Sequence, residues 1–128
     1  MAYDADRGVT VLFGGGLNSG DDEDDTWEYD GSSWTEVSTT VSPPGRNGCV
    51  MVFDERCGVV IHFGGENDGS ETDETWQWDG ASWREVPIVD APDPLTDMAM
   101  VYDSERQVVV VYGGSATSSG APGIWELL

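Results

Sequence analysis

The chain repeats one sequence pattern three times, at intervals of 49 or 50 residues. The segment Met1–Asp4 returns as Met51–Asp54 and Met100–Asp103, and each copy reaches a Gly-Gly pair ten residues after its aspartate. The segment Thr26–Trp34 returns almost letter for letter as Thr75–Trp83. Repeats of this length are typical of solenoids, propellers and other arrays of stacked units. The chain is therefore constrained to an architecture of similar units packed side by side.

Each repeat is predicted to form four antiparallel strands. In the second copy, Val59–Phe63 is a run of strand length rich in β-branched residues and too short for an independent helix. The preceding link Asp54–Gly58 carries turn chemistry and indicates a hairpin. After the Gly-Gly pair and a polar loop comes a Trp-led strand, and Asp79-Gly80 turns the chain into a fourth strand around Trp83. No segment has sustained helical periodicity, so the predicted fold class is all-β.

The same residues resemble the kelch repeat, in which a strand ends in Gly-Gly and is followed by a spaced aromatic strand and a Trp. Kelch repeats are about 50 residues long, and the resemblance covers nearly the whole chain. It implies β-propeller blades like those of bacterial kelch-like and galactose-oxidase-type proteins; another antiparallel repeat sheet is the alternative. The family also tends to carry Pro and Arg before the first strand, as Pro43–Gly48 does with Arg46. The matching stretch Pro92–Asp97 has no Arg, which puts a role of this Arg in doubt for the third repeat.

The repeats divide a single kelch-repeat domain, 1–128, into residues 1–42, 43–91 and 92–128. The first copy begins midway through its opening strand and the third ends before its fourth strand, which gives just under three blades. Propellers usually close with about four to eight blades, and an open stack would leave apolar faces and strand edges bare. We therefore expect a second chain to join head to tail, as a homodimer that completes a six-bladed propeller. A fragment of a longer propeller protein is the alternative, and the two interpretations are compatible.

The composition is strongly acidic, with 25 Asp and Glu residues against five Arg and a formal net charge of −20. This charge argues against binding nucleic acid or an anionic membrane, because both require basic patches. It also makes association between chains dependent on salt, which screens repulsion between exposed charges.

The two cysteines, Cys49 and Cys57, are predicted to be free thiols. They lie on opposite strands of the predicted hairpin, about five residues or 16 Å apart, beyond the roughly 7 Å that a disulfide allows between Cα atoms. Free thiols suit a reducing compartment. No signal peptide or transmembrane stretch is recognised in the sequence, so a cytoplasmic location is expected.

Function on repeat scaffolds is usually carried by the longer, variable loops. In the predicted repeats, the loops after the second and fourth strands share one face, whereas the turns on the opposite face are tight. The predicted binding residues are the polar and charged side chains of that loop face: Asp21, Asp22, Glu23, Asp24, Asp25, Arg46, Asn47, Asn67, Asp68, Glu71 and Asp73.

The segment Asp21–Asp25 is the densest acidic stretch of the predicted loops. Clustered carboxylates can coordinate Ca²⁺, but the spacing does not match the alternating pattern of a known calcium loop. The second copy, Glu66–Glu74, is less acidic, and the third, Ser115–Gly123, has no acid. A solvated acidic loop is therefore favoured over a calcium site, and no cofactor is predicted.

Single residues add little evidence for catalysis. His62 is the only histidine, and it occupies a strand position held by Leu12 and Val111 in the other copies, which favours a half-buried strand residue. Arg46 is expected to pair either with an acidic group of a partner or with a neighbouring loop carboxylate. The aromatic positions recur between copies and are predicted to form core: Trp27, Trp76 and Trp125; Trp34 and Trp83; and Trp78, which corresponds to Tyr29 and Leu127.

The favoured function is a non-enzymatic recognition module that presents acidic loops to a protein or small ligand. An enzyme that uses loop carboxylates, such as Asp24 with Asp73 in a hydrolase or isomerase, is one alternative. The copper chemistry of galactose-oxidase-type propellers requires histidine ligands, and one histidine per chain argues against it. A module whose function is self-assembly is the remaining alternative.

Overall fold

The computed structural model describes residues 1–115 and 123–127, which contain thirteen strands and no helix. The strands form three consecutive antiparallel sheets and one small hairpin, which confirms the all-β class. The first sheet consists of β1 (Ala2–Asp4), β2 (Val9–Gly16), β3 (Asp22–Tyr29) and β4 (Trp34–Glu36). The second repeat contributes β5 (Val50–Asp54), β6 (Val59–Phe63), the hairpin β7 (Glu66–Asn67) and β8 (Ser70–Glu71), then β9 (Thr75–Trp78) and β10 (Trp83–Glu85). The third sheet consists of β11 (Ala99–Asp103), β12 (Val108–Tyr112) and β13 (Ile124–Leu127).

The first two strands of every sheet are joined by the same aspartate turn. In the second sheet, Asp54 Oδ1 accepts backbone hydrogen bonds from Arg56 and Cys57, at 2.9 and 3.1 Å, and Gly58 N donates to Asp54 O at 2.8 Å. Asp4 and Asp103 accept the equivalent pairs of bonds. A short polar side chain that satisfies two backbone N–H groups favours this tight turn, as predicted from the sequence.

The acidic stretch of the first repeat was predicted as a loop, and that prediction was wrong. The ladder between β2 and β3 continues past the Gly-Gly pair, with Gly15 opposite Glu23 and Gly16 opposite Asp22 after an irregular step that follows Phe13. Gly14 and Gly15 have φ values of 61° and 126°, which glycine adopts without the clash of a Cβ atom and which allow the pairing to resume. The third predicted loop, 113–123, lies mostly outside the described residues.

Each sheet has two chemically different faces. One carries the recurrent Trp and is here called the tryptophan face; in the second sheet it comprises Met51, Phe53, Val60, His62, Trp76, Trp78 and Trp83. The other, here called the valine face, comprises Val50, Val52, Val59, Ile61, Phe63 and Thr75 in that sheet.

The hydrophobic core consists of two layers, one on either side of the second sheet. Val11 and Phe13 of the first sheet's valine face pack on the tryptophan face of the second sheet. Ile61 and Phe63 of the second sheet's valine face pack in turn against the third sheet. Each joint therefore places a valine face against a tryptophan face, and burial of each large side chain contributes about 1.5–3 kcal/mol.

The predicted tryptophan core is confirmed for the second sheet, where Trp76, Trp78 and Trp83 are buried. Trp34 is 44 % exposed in the single chain, because no described sheet covers the tryptophan face of the first sheet. Trp27 and Trp125 are half-buried. Among the described residues, no helix is long and apolar enough to span a membrane.

Candidate functional site

The connections that follow β2 and β6 meet the linkers between sheets at one edge of the molecule. We call this the hairpin edge: it consists of residues 14–25 and 64–74 and of the linkers 38–48 and 87–97. Two bonds join linker to hairpin in the first sheet: Gly15 N donates to Arg46 O at 3.0 Å, and Arg46 N donates to Glu23 O at 3.3 Å. Asn47 and Glu66 exchange backbone bonds of 3.1 and 2.9 Å. Backbone pairing therefore brings the two predicted loop regions together at this edge.

Arg46 is buried, with 1 % of its surface exposed, and it does not face solvent as a free cation. Its guanidinium pairs with Glu74 Oε2 at 2.5 Å and donates to Pro44 O and Gly64 O at 3.0 and 3.3 Å. Of the two predicted roles, the structure shows the pairing with a neighbouring carboxylate. Partial burial acts to raise the pKa of Glu74, but hydrogen bonds from Arg46 and Trp76 and the charge of Arg46 lower it overall.

The third repeat has neither the arginine nor the carboxylate at the equivalent positions. The backbone bond from Gly65 N to Leu95 O matches the bond from Gly15 N to Arg46 O, so Leu95 occupies the arginine position. Leu95 is buried, and Gly123 stands where the second repeat has Glu74. The sequence departure noted above therefore replaces an ion pair with an apolar contact.

Both predicted asparagines hold the linker in place. Asn47 Nδ2 donates to Asp22 Oδ1 at 2.8 Å, and Asn67 Nδ2 donates to Gly45 O. These side chains join linker to hairpin, and each amide group already donates one hydrogen bond within the chain.

The five acidic residues at 21–25 do not converge on one point. Asp21 accepts a hydrogen bond from Ser19 Oγ at 2.9 Å, Asp22 accepts from Asn47, and Asp25 accepts from Trp27 Nε1. Successive side chains of a strand point to opposite faces, and β3 includes four of the five. Within residues 1–115 and 123–127, no group of three or more His, Cys, Asp or Glu side chains is arranged to hold a metal ion.

Two equivalent acidic pockets open at the hairpin edge, where the Trp-led strand meets the following linker. The first, of about 250 Å³, is lined by Asp24, Asp25, Thr26, Glu36, Val37, Ser38, Thr39 and Ser42. The second, of about 180 Å³, is lined by Asp73, Glu74, Thr75, Glu85, Val86, Pro87, Ile88 and Ala91. Each pocket has three carboxylate residues at matching repeat positions. The predicted residues Asp24 and Asp73 line different pockets, so the structure does not bring them together as a pair in one pocket.

The remaining predicted residues lie on the hairpins themselves. Asp68 is exposed at the tip of the β7–β8 hairpin with φ 49°, and Glu71 lies half-buried on β8. The sequence analysis missed Glu36 and Glu85, which complete the acidic linings. Their signal was present, because each lies two residues after a recurrent Trp, in Trp34–Val37 and Trp83–Val86.

The charges are distributed unevenly between the two ends of the sheets. Arg7, Arg56 and Arg106 lie in or beside the aspartate turns, at the end opposite the hairpin edge, and Arg84 lies on β10. Only Arg46 reaches the hairpin edge, where Glu74 neutralises it. The charged groups that line the two pockets are therefore all carboxylates.

His62 is fully buried, not half-buried as predicted, because the first sheet covers the face on which it lies. Its ring packs edge-on against Phe13 and Trp83, with centroid distances of 5.2 and 5.9 Å. Burial, and after it the charge of Arg46, lowers the pKa of His62 to about 3. A neutral imidazole enclosed by rings has no access to a substrate.

Cys49 and Cys57 are both free, as predicted.

The chain matches no protein-family model, and it matches no curated protein sequence.

Proposed function

We propose that this chain is a non-enzymatic recognition module that binds cationic groups of a protein or small ligand at the hairpin edge. The observation that carries this proposal is the pair of equivalent pockets, whose charged lining residues are all carboxylates. The first pocket has three, and the second has Asp73 and Glu85 in addition to Glu74, which is already paired with Arg46. A binding position that recurs at the repeat interval suits a ligand with two cationic groups, since linking two contacts raises the overall affinity.

The fold underlying this function is a set of kelch-like propeller blades, completed by a second chain into a six-bladed propeller. Three features support this interpretation. The repeats fold as antiparallel sheets of the expected strand order, and the Gly-Gly pairs of the second and third repeats directly follow the second strand. The first strands of the three sheets, β1, β5 and β11, lie side by side along a shared cleft of about 420 Å³.

The acidic pockets would recognise ammonium or guanidinium groups. A charge-assisted hydrogen bond to a carboxylate is roughly twice as strong as a neutral one. The formal net charge of −20 would also accelerate the approach of a cationic partner. Neutral side chains such as Ser38 and Thr39 in the first pocket offer further acceptors for the same donors.

Binding of a fluorescein-labelled peptide of alternating Arg and Gly, measured by fluorescence anisotropy, tests the proposal. The reference peptide has Glu in place of Arg. We expect the Arg peptide to bind and the Glu peptide to give no response. Combining Asp24→Asn with Asp73→Asn should weaken binding about tenfold or more, the equivalent of about 1.4 kcal/mol.

The matched control combines Asp6→Asn with Glu55→Gln, which changes the net charge equally at exposed positions in the aspartate turns. This control should bind the Arg peptide within about twofold of the original chain, since exposed charges farther apart than about 10 Å are largely screened. Equal losses in both double variants would show attraction by net charge alone and would overturn the pocket assignment. Turnover of a sugar or ester substrate that Asp24→Asn or Asp73→Asn abolishes would favour the enzyme alternative.

A further inference from the structure

We propose that the uncovered tryptophan face of the first sheet docks on the uncovered valine face of the third sheet of a second copy, in the register of the joints inside the chain. This inference rests on the blade stacking proposed above and deepens it by naming the residues that meet. Both faces expose large apolar side chains, among them Trp34 on the first and Ile124, 69 % exposed, on the third.

The joint between the first and second sheets defines the register through two hydrogen bonds. Trp83 Nε1 donates to Thr26 Oγ1 at 2.8 Å, and Trp78 Nε1 donates to Glu28 Oε1 at 3.0 Å. In both bonds, a tryptophan face supplies the donor and a valine face supplies the acceptor.

Equivalent repeat positions identify the residues of the two uncovered faces that correspond to the first of these contacts. Trp34 occupies the position of Trp83, and Ile124 occupies the position of Thr26. The hydroxyl acceptor becomes an aliphatic side chain. The indole ring of Trp34 would therefore pack on Ile124 of the second copy, which removes two large exposed apolar groups from water.

The second contact keeps a polar donor opposite a glutamate, and an arginine already holds that glutamate in both sheets. Tyr29 occupies the position of Trp78, and Glu126 occupies the position of Glu28. Glu28 is held by Arg7 at 2.6 Å, and Glu126 is held in the same way by Arg106. The carboxylate of the third sheet is thus already oriented by an arginine, and the hydroxyl of Tyr29 of the second copy would donate to it.

A third contact comes from the joint between the second and third sheets. Arg56 N donates to the hydroxyl oxygen of Tyr102 at 3.2 Å. The equivalent residues on the uncovered faces are Glu105 in the last aspartate turn and Tyr3 on β1. The backbone N–H of Glu105 would donate to Tyr3 of the second copy.

A second copy of this chain is the occupant that the surfaces fit best. Each chain has one uncovered face of each kind, so two copies supply a partner for all four faces. Two chains of three sheets give a ring of six, within the range of about four to eight at which such arrays close. The contact joins unlike faces, and such contacts form a closed ring where the rotation between copies allows closure.

The solution mass, measured by light scattering behind a sizing column, tests the joint. We expect twice the chain mass of 13.8 kDa for the unaltered protein. Trp34→Glu and Ile124→Glu should each halve that mass, because each places a charge inside the joint. Val89→Glu adds the same charge at a linker position that is 88 % exposed and lies on neither face, and this variant should remain a dimer. Far-ultraviolet circular dichroism verifies that all three variants are folded.

Mixing the two monomeric variants tests whether unlike faces meet. Trp34→Glu keeps an intact valine face and Ile124→Glu keeps an intact tryptophan face, so the mixture should form a heterodimer with one intact joint. A dimeric Trp34→Glu or Ile124→Glu variant alone, a mixture that stays monomeric, or a monomeric unaltered protein would overturn the proposal.

The peptide titration separates failure of this inference from failure of the proposed function. A monomer that still binds the Arg peptide would overturn the dimer and leave the recognition function standing. A dimer that does not bind the peptide would support the joint and overturn recognition at the hairpin edge.

Discussion

Trp83 Nε1 donates a 2.8 Å hydrogen bond to Thr26 Oγ1 and thereby joins β10 of the second sheet to β3 of the first. Both residues are buried, so the bond lies within the packed joint. Thr75 occupies the same position in the second sheet as Thr26 in the first, and its buried hydroxyl has no partner among residues 1–115 and 123–127. The same residue type in equivalent positions therefore has different surroundings.

Thr26→Val should lower the free energy of unfolding by about 1–3 kcal/mol, because the indole N–H of Trp83 would be left buried without an acceptor. Thr75→Val is the matched control and should be neutral or stabilising, since it removes a buried hydroxyl that has no described partner. Urea unfolding followed by tryptophan fluorescence measures both changes. Equal destabilisation by the two substitutions would contradict the role given to this hydrogen bond.

His62 should make the protein less stable as the pH falls. Its pKa is lowered to about 3 in the folded chain, whereas an unfolded histidine titrates near about 6.5. Between these values the unfolded state binds more protons, so the unfolding free energy decreases with falling pH by up to about 1.4 kcal/mol per unit. The pH dependence of unfolding of the original chain and of His62→Leu checks this.

The comparison with His62→Leu separates the contribution of His62 to the pH dependence of unfolding from the contribution of the many carboxylates. Leucine already occupies the equivalent position of the first sheet, as Leu12. The variant should unfold with a shallower loss of stability between about pH 6 and pH 4, where the histidine contributes. Parallel pH profiles for the two proteins would show that His62 does not remain neutral in the folded state.

Glu74→Gln should destabilise the chain by about 1–3 kcal/mol, because it leaves the buried guanidinium of Arg46 without its charged partner. Arg46→Leu introduces the side chain that the third repeat has at this position, Leu95. A double-mutant cycle with the two substitutions should give a coupling energy of about 1–3 kcal/mol. A coupling near zero would show that the two side chains act independently.

The first glycine of each Gly-Gly pair should differ in its tolerance of alanine. Gly64 has φ 66°, and a Cβ atom there would lie 2.8 Å from Leu95 O. Gly113 has φ 73° and no described atom within 4 Å of that position. Gly113→Ala should cost only the conformational strain of about 1–2 kcal/mol, and Gly64→Ala should cost about 1–3 kcal/mol more. Urea unfolding of the two variants measures the difference.

Salt should affect the two proposed interactions in opposite directions. Two copies, each with a formal net charge of −20, repel each other. The dissociation constant of the dimer should therefore fall as the salt concentration rises. Binding of the Arg peptide joins opposite charges and should weaken over the same range. Sizing and anisotropy titrations at low and high salt check both, and parallel responses would contradict one of the two assignments.

The elements that depend on local sequence could be predicted. The run Val59–Phe63 is a strand with the bounds expected from its composition, and the aspartate turns form where turn chemistry occurs. The continuation of β2 and β3 beyond Phe13 could not be predicted, because it depends on pairing that resumes after an irregular step between Phe13 and Gly15.

The candidate site was predicted only in part, because its contacts join residues that are far apart in sequence. The acidic character and position of the hairpin edge followed from the order of the strands. The pairing of Arg46 with Glu74 joins residues 28 apart in sequence, and composition alone does not distinguish it from a partner-binding arginine. The exposure of Trp34 likewise depends on whether a sheet covers it, although its sequence context is nearly that of the buried Trp83.

Among the sheets that the structure describes, only the second has both faces covered within the chain, and all five residues of β6 are buried. In a stack where each unit contacts only its neighbours, opening proceeds from uncovered ends. Amide hydrogens of β6 should consequently exchange last, after those of the first and third sheets. A second chain that covers both ends would remove this gradient, and the six sheets would then lose their protection together.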